Sequence, residues 1–327
     1  MKINQYDKAG RLINTIESFT AAKSTTYTYF SSGVNTGKIQ RVSASDGVSK
    51  VYSYDNLGRP TRLADSIQGE VSMVTRYGYD AWSHNTSITY PSGIVITNVY
   101  DTKGFVSQIN NASSILWKMN SSDSRGRPVS YNLGDPNLGL NVQFTYDPQG
   151  RLATKTTVQM KQTYVFDPNS GNLSSRDYRT AGSQTGLYES FGYDTFNRLT
   201  SSTIGNNTAS LEYSANGNIS TKSNVGGYTY DPTKVNAVSN ISVSGGAIDA
   251  AVQAITYNAS NLTTQIKLGV TEYNIKYNPF DERIKTVNDI DAVTKYYSGS
   301  YEIVGYYCRR PVNTYQFDFK PKYLKFV

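Results

Sequence analysis

The stretch 146–152, YDPQGRL, decides the fold, because copies of it recur along this chain of 327 residues. Clear copies are YDKAGRL from Tyr6, YDNLGRP from Tyr54, YDTKGFV from Tyr100, SDSRGRP from Ser122, FDPNSGNL from Phe166, YDTFNRL from Tyr193 and YSANGNI from Tyr213. Weaker copies start at Tyr79, Tyr230, Tyr257, Tyr277 and Tyr297, and most copies begin 17 to 27 residues apart. This spacing indicates one small supersecondary unit that is used many times.

Two positions of the repeat carry the chemistry of a tight turn. The second position holds a short side chain with an oxygen that can accept a hydrogen bond from the backbone two residues on. Its occupants are Asp7, Asp55, Asp80, Asp101, Asp123, Asp147, Asp167, Asp194 and Asp231, then Ser214, Asn258, Asn278 and Ser298. Three residues later comes a residue type that tolerates positive φ. These residues are Gly10, Gly58, Gly104, Gly126, Gly150, Gly217, Asn197, Asn261 and Asp281. The pair predicts a type I turn closed by a bulge.

The segments on either side of the turn have the pattern of strands. Before it, aromatic residues stand two apart, as in Tyr52/Tyr54 and Phe144/Tyr146, which places both rings on one face. After it, the chain resumes with Arg-Leu or an equivalent. Each unit is therefore predicted to be a β-hairpin, and the chain to be all-β, with hairpins paired edge to edge around a buried face lined by tyrosine.

These units resemble the YD repeats of the rearrangement-hotspot (Rhs) family, which also occur in shell components of insecticidal toxin complexes and in teneurins. The resemblance covers residues 6 to about 304 and implies a spiralling, shell-like β-sheet. In bacterial members the shell encloses a toxic C-terminal polypeptide, and in teneurins a similar shell supports adhesion at the cell surface. The family's Asp-Pro-x-Gly core segment and its cleavage aspartates are not matched here, because Asp147-Pro148 lies inside an ordinary repeat.

Composition excludes several classes of protein. With one histidine (His84) and one cysteine (Cys308), the sequence offers neither a disulfide framework nor a Cys/His zinc site. The net charge is +7, and much of it lies in residues 308–327, so the body is a weak candidate for binding nucleic acid. No apolar run is long enough for a membrane helix, and the N-terminus is not typical of a secretory signal peptide.

Each residue that could serve a catalytic or binding role has a simpler explanation. The repeat aspartates interchange with Ser and Asn, which favours turn capping over catalysis or calcium binding. His84 is interpreted as a loop residue, and Cys308 has no identifiable partner base although Arg309 and Arg310 follow it. The 28 tyrosines favour a packing role, with sugar binding by exposed rings as an alternative. We therefore predict no catalytic, cofactor-binding or metal-binding residues and no cofactor.

The repeat array is assigned to residues 1–304 and a tail without the turn motif to 305–327. The tail is explained as an end-cap that pairs through Tyr315, Phe317 and Phe319, as the start of a variable effector, or as a run translated past a disruption; the abrupt change in composition favours the last two. Residues 247–255 have the only helix-like pattern, of two turns at most.

The sequence thus favours a non-enzymatic shell or scaffold segment that encloses or presents a toxin or effector polypeptide. The expected partners are that polypeptide or the remainder of a longer Rhs-like chain. The resemblance implies an extracellular or exported location. A carbohydrate- or cell-surface-binding adhesion module, with glycans as partners, is the alternative, and an enzyme that uses His84 or repeat carboxylates is a weaker one. Because the chain looks short for closing a shell, its strand edges are expected to pair with further protein.

Overall fold

The computed structural model describes residues 2–17, 23–180, 182–183, 186–246, 253–291, 293–307 and 317–320. In these ranges the chain runs through 29 strands and one 3-10 turn, Pro136–Leu138. The strands are β1 Lys2–Tyr6, β2 Leu12–Glu17, β3 Lys23–Tyr29, β4 Ile39–Ala44, β5 Val48–Tyr54, β6 Pro60–Ile67, β7 Val71–Tyr79, β8 Asn85–Thr89, β9 Val95–Tyr100, β10 Val106–Asn111, β11 Ser114–Ser122, β12 Pro128–Leu133, β13 Asn141–Tyr146, β14 Leu152–Thr157, β15 Met160–Phe166, β16 Leu173–Thr180, β17 Leu187–Tyr193, β18 Leu199–Ile204, β19 Asn207–Tyr213, β20 Ile219–Lys222, β21 Gly226–Tyr230, β22 Val238–Val243, β23 Gln253–Tyr257, β24 Thr263–Leu268, β25 Thr271–Tyr277, β26 Arg283–Asn288, β27 Val293–Ser298, β28 Tyr301–Tyr307 and β29 Phe317–Lys320.

Strands that follow one another in the chain pair antiparallel, as expected for a series of hairpins. Between β5 and β6, Ser53 lies opposite Arg62, and the register then shifts so that Tyr54 lies opposite Pro60. The same shift occurs at the terminal aromatic residue of β1, β3, β7, β13, β15, β17, β19, β23 and β25. This is the bulge that the turn motif predicts, and the all-β hairpin fold is confirmed.

β1 to β22 belong to a 22-stranded sheet, and β23 to β29 form a seven-stranded sheet. By its contacts the chain divides into two compact units. Unit 1 comprises 1–95, 230–240 and 251–327, and unit 2 comprises 96–229 and 241–250.

Unit 1 has a hydrophobic core made by strands that are far apart in the sequence. Its fully buried side chains include Val48, Met73, Ile284 and Tyr296, which pack together with Ala44, Ile67 and Tyr301. The hairpins that contain β5–β7 therefore pack against those that contain β26–β28. Unit 2 differs, because its buried apolar side chains among the described residues are Ile96, Val142 and Val225.

The expectation of a buried, tyrosine-lined face is met only in part. Among the described tyrosines, Tyr296 and Tyr301 are buried, and most of the aromatic residues that end a repeat strand are half-buried. A phenol hydroxyl needs a hydrogen-bond partner or water, so tyrosine suits a wall with polar surroundings better than a dry core.

The two less regular segments are described in part. In the stretch predicted to be weakly helical, residues 247–252 lie outside the described residues, and Gln253–Tyr257 is a strand. At the C-terminal end, β28 runs past residue 305 to Tyr307 and pairs with β29, so that Gly305 lies opposite Phe319. This pairing is the one that an end-cap requires, whereas Tyr315 lies outside the described residues.

Candidate functional site

The turn of each repeat is held by the aspartate that opens it. Asp55 Oδ1 accepts hydrogen bonds from the backbone N–H groups of Leu57 and Arg59, both at 2.9 Å. Gly58, with φ at +75°, donates its N–H to the backbone carbonyl of Asp55 at 3.0 Å, which closes the turn. Asn258 and Asn278 accept the same two bonds through Oδ1. The capping role inferred from the sequence is therefore what the geometry shows.

Four members of the series depart from this scheme. Asp167 and Asp231 open longer turns, in which Oδ1 accepts from the backbone N–H groups two and three residues on. Ser214 uses its hydroxyl to donate to Asn216 Oδ1 at 2.5 Å, so its turn is held through a second side chain. Ser298 opens no such turn, because β27 and β28 are joined directly through Gly299 and Ser300. Its hydroxyl instead donates to Asp65 Oδ2 at 2.6 Å, inside unit 1.

A guanidinium group completes the turn from four residues beyond the aspartate. Arg59 Nε donates to Asp55 Oδ2 at 2.6 Å, and Arg127 Nε donates to Asp123 Oδ2 at 2.7 Å. The same pair joins Arg11 to Asp7, Arg151 to Asp147 and Arg198 to Asp194. The carboxylates of Asp7, Asp55, Asp123 and Asp194 thus each accept from two backbone N–H groups and one arginine side chain. That of Asp147 accepts from the N–H and the side chain of Arg151.

These donors lower the pKa of the aspartates that pair with an arginine. At Asp55 the backbone N–H of Arg59 is the largest influence, and it holds the pKa below its usual value. At Asp123 burial by itself would raise the pKa, but hydrogen bonds from the side chain and backbone of Arg127 outweigh it and lower the pKa. A carboxylate held in its charged form by local donors suits a structural role, since a general acid needs a pKa near the working pH.

The same arginine reaches forward to the aromatic residue that ends the first strand of the next repeat. The guanidinium carbon of Arg127 lies 4.1 Å from the centre of the Tyr146 ring, and that of Arg59 lies 4.8 Å from the Tyr79 ring. Arg127 Nη1 also donates to the carbonyl of Gly150 in the next turn at 2.6 Å. Equivalent ring contacts join Arg11 to Tyr29, Arg151 to Phe166 and Arg198 to Tyr213.

The ring returns a hydrogen bond to the preceding hairpin. Tyr146 donates its hydroxyl to the carbonyl of Pro128 at 2.8 Å, and Pro128 directly follows Arg127. Bonds of 2.7 to 3.0 Å of this kind join Tyr29 to Leu12, Tyr54 to Ile39, Tyr79 to Pro60, Tyr193 to Leu173, Tyr213 to Leu199, Tyr257 to Val238 and Tyr277 to Thr263. We call the set of turn aspartate, arginine, next aromatic ring and accepting carbonyl the turn latch.

His84 occupies the arginine position of a turn latch. Its Nδ1 lies 2.8 Å from Asp80 Oδ2, and its backbone N–H donates to Asp80 Oδ1 at 2.8 Å. Asp80 is also reached from the previous turn, because Arg59 Nη1 donates to its backbone carbonyl at 2.8 Å. The surroundings of His84 are therefore those of a turn residue, as its interpretation as a loop histidine requires. Cys308 lies outside the described residues.

A further group of charged side chains lies within unit 1. Lys50 Nζ donates to Glu282 Oε2 at 2.8 Å and lies 3.7 Å from Asp65 Oδ1, and the Lys50 and Asp65 side chains are 8% and 2% exposed. Burial is the main influence on Asp65 and raises its pKa. A pocket of about 250 Å³ is lined by Lys23, Tyr27 and Lys276 among others. Within the part of the chain that the structure describes, no group of three or more potential metal ligands occurs and no helix is long and apolar enough to cross a membrane.

The pairing of arginine with the next ring is what the sequence analysis missed. Its signal was present, since Arg11, Arg59, Arg127, Arg151 and Arg198 all follow a repeat aspartate by four residues. The distance from the arginine to its ring varies from 15 to 20 residues, however, so no fixed spacing connects the two.

Comparison with known proteins agrees with this architecture. No family model matches the chain. In sequence the chain is similar to teneurin-3 of Mus musculus, with 26% identity over 219 residues that cover 62% of this chain and 7% of teneurin-3. In structure it is similar to a chain of the TcdB2-TccC3-Cdc42 crystal structure, with a TM-score of 0.71, 13% identity and coverage of 93% of this chain and 19% of that one. A chain of the Photorhabdus luminescens Tc holotoxin pore gives a TM-score of 0.67, 13% identity and the same 93% and 19%.

Proposed function

We propose, on the basis of the YD-repeat resemblance that these comparisons confirm, that this chain is a wall segment of an Rhs-like shell that encloses or presents a toxin or effector polypeptide. The observation that carries the proposal is the turn latch, which uses the side chains most typical of the repeat and joins successive hairpins at Tyr29, Tyr79, Tyr146 and Tyr213. Because the residues that define the repeat connect hairpins to one another, they support a scaffold role. We propose that the segment is non-enzymatic and acts outside the cell that makes it.

The partner in this proposal is the enclosed polypeptide together with the remainder of a longer Rhs-like chain. The chain spans 19% of the Tc chains to which it is similar, and so corresponds to a part of their length. In a strand, neighbouring side chains point to opposite faces, so a wall presents one face to its contents and the other to solvent. An enclosing role therefore predicts that adjacent residues differ in what they contact.

Leu187 and Tyr188 in β17 are a matched pair for testing this prediction. They are neighbours in one strand and are 55% and 56% exposed. A photo-crosslinking amino acid placed at either position in the producing cells is expected to capture a polypeptide from one position only. The captured polypeptide should resist added protease until the wall is denatured. Two results would exclude an enclosing role for this chain. One is equal crosslinking of a polypeptide from both positions, and the other is crosslinking of a polypeptide that added protease digests while the wall is still folded.

Carbohydrate binding is a second candidate, because one exposed aromatic ring is well placed for it. The Trp82 side chain at a turn tip is 79% exposed, and its ring centre lies 6.5 Å from that of His84. An exposed indole offers a flat apolar face on which a sugar ring can stack, beside a polar group. If this surface binds glycans, Trp82→Ala should abolish the signals on a glycan array, and Phe196→Ala, which removes another turn-tip ring, should leave them unchanged.

A further inference from the structure

Lys50 and Asp65 are a buried amine and a buried carboxyl group that face each other across two neighbouring strands. They lie directly opposite in the ladder of β5 and β6, so their side chains are on the same face of the sheet. The two side chains are 8% and 2% exposed, and Lys50 Nζ lies 3.7 Å from Asp65 Oδ1. Among the described residues, this buried oxygen has no hydrogen-bond partner. The pair has therefore left water without forming the direct hydrogen bond that would offset the loss.

Two groups from hairpins far along the chain complete the cluster. Glu282, in the turn before β26, accepts from Lys50 Nζ through Oε2 at 2.8 Å, and its side chain is 59% exposed. Ser298, at the end of β27, donates to Asp65 Oδ2 at 2.6 Å. Lys50 Nζ also lies 5.6 Å from the centre of the Phe280 ring. The amine thus has a proton acceptor that reaches solvent, and the carboxyl group has a donor on the oxygen that Ser298 contacts.

We propose that the side chains of Lys50 and Asp65 condense to form an amide bond. Glu282 acts as the base that takes a proton from the Lys50 ammonium group. The freed Nζ then bonds to Asp65 Cγ, and Ser298 stabilises the negative charge that develops on Oδ2. The bond from Cγ to Oδ1 breaks, and Oδ1 leaves as water with its own proton and one from the nitrogen. Glu282 passes its proton to solvent, so the reaction is a dehydration that requires no oxidant or cofactor.

Three features of the site favour condensation. The fold holds the amine beside the carboxyl group, which raises their effective concentration by orders of magnitude. Burial is the main influence on Asp65 and raises its pKa, which favours the neutral acid, the form that can lose water. The product is uncharged, so the cost of burying two charges is removed.

The bond would join β5 to β6 covalently, and its formation would depend on distant parts of the chain. Glu282 is 232 residues from Lys50, so it meets the amine only after the hairpins of unit 1 have packed together. The reaction occurs once within its own chain and has no turnover, which is compatible with a non-enzymatic wall segment. The inference goes beyond the proposed wall function and does not depend on it.

The mass of the purified full chain, measured under denaturing conditions, tests the proposal directly. We expect it to be lower than the mass of the sequence by one molecule of water. A tryptic digest should contain residues 42–62, uncut after Lys50, joined to residues 63–76, which contain Asp65. A folded chain that keeps the full mass after prolonged incubation would overturn the proposal. So would a loss of water that maps to Asp46-Gly47, where an aspartate can cyclise with the backbone.

Variants test the role of the base. Glu282→Gln keeps both reacting groups and should form the bond about a hundredfold more slowly, whereas Lys50→Arg should keep the full mass. The matched control is Glu302→Gln, which changes a carboxylate 2.9 Å from another lysine, Lys295, and should form the bond at the original rate. Equal rates in Glu282→Gln and the original chain would overturn the proposal, as would bond formation in the original chain kept unfolded in urea. The mass of the original chain decides the matter even if Glu282→Gln fails to fold.

Discussion

Removing the arginine of one turn latch is the most direct test of what holds the hairpins together. Arg127 donates to the carbonyl of Gly150 at 2.6 Å and lies 4.1 Å from the centre of the Tyr146 ring. A hydrogen bond from a charged donor contributes about 1.5 kcal/mol to stability at the low end of its range. A cation over a ring at a partly exposed site adds about 0.5–1 kcal/mol. Arg127→Ala should therefore lower the free energy of unfolding by about 2 kcal/mol.

For a chain of this length, a loss of about 2 kcal/mol lowers the melting temperature by about 3 °C, which differential scanning calorimetry resolves. The matched control is Arg125→Ala, because Arg125 lies two residues earlier in the same turn and is exposed. Both variants remove one positive charge, but Arg125 contributes to the turn through its backbone N–H, which donates to Asp123 Oδ1 at 2.9 Å and is kept by alanine. Equal losses in the two variants would refute the turn latch and attribute the effect to net charge. Arg127→Lys, which keeps the charge without the planar fork, should fall between them.

Three further outcomes follow from the same geometry, each measurable as a melting temperature. Gly58→Val should lower the free energy of unfolding by about 1–3 kcal/mol, because φ is +75° and a side chain there would lie 2.5 Å from Lys38 Cε. Asp55→Asn keeps the oxygen that caps the turn and should have a much smaller effect. Equal losses in the two variants would show that the charge of the aspartate is essential. Phe166→Tyr should raise stability by about 1 kcal/mol if the new hydroxyl reaches the carbonyl of Leu152, and no gain would place that carbonyl out of reach. Because the pKa of Asp55 lies below its usual value, its stabilising effect is present above the unfolded pKa of about 4 and is lost as the pH falls through the folded pKa. Constant stability from pH 7 to pH 3 would contradict this assignment.

The local structure could be predicted from the sequence because it depends on residues close together in the chain. Asp55 and Gly58 specify their turn through bonds that span four residues or fewer, so their types alone identify it. The core of unit 1 could not be predicted in this way. Lys50 meets Glu282 across 232 residues, and no periodicity connects the two. The turn latch could be predicted only in part. Its arginine always follows the turn aspartate by four residues, but the number of residues from that arginine to the ring depends on the length of the intervening strands and loop.

The two units show why a repeat of this kind depends on polar contacts. In unit 1, hairpins far apart in the chain bury Val48, Met73 and Ile284 together, so the hydrophobic effect stabilises their packing. In unit 2 the described residues bury few apolar side chains, and each hairpin contacts chiefly its neighbours. Stability in such an array is a sum of terms between neighbours. A contact that recurs at several junctions, such as the one between Arg127 and Tyr146, then adds to stability in proportion to the number of junctions that have it. A wall held in this way can lengthen by one unit at a time without a new core, which explains why the turn residues are the ones that repeat.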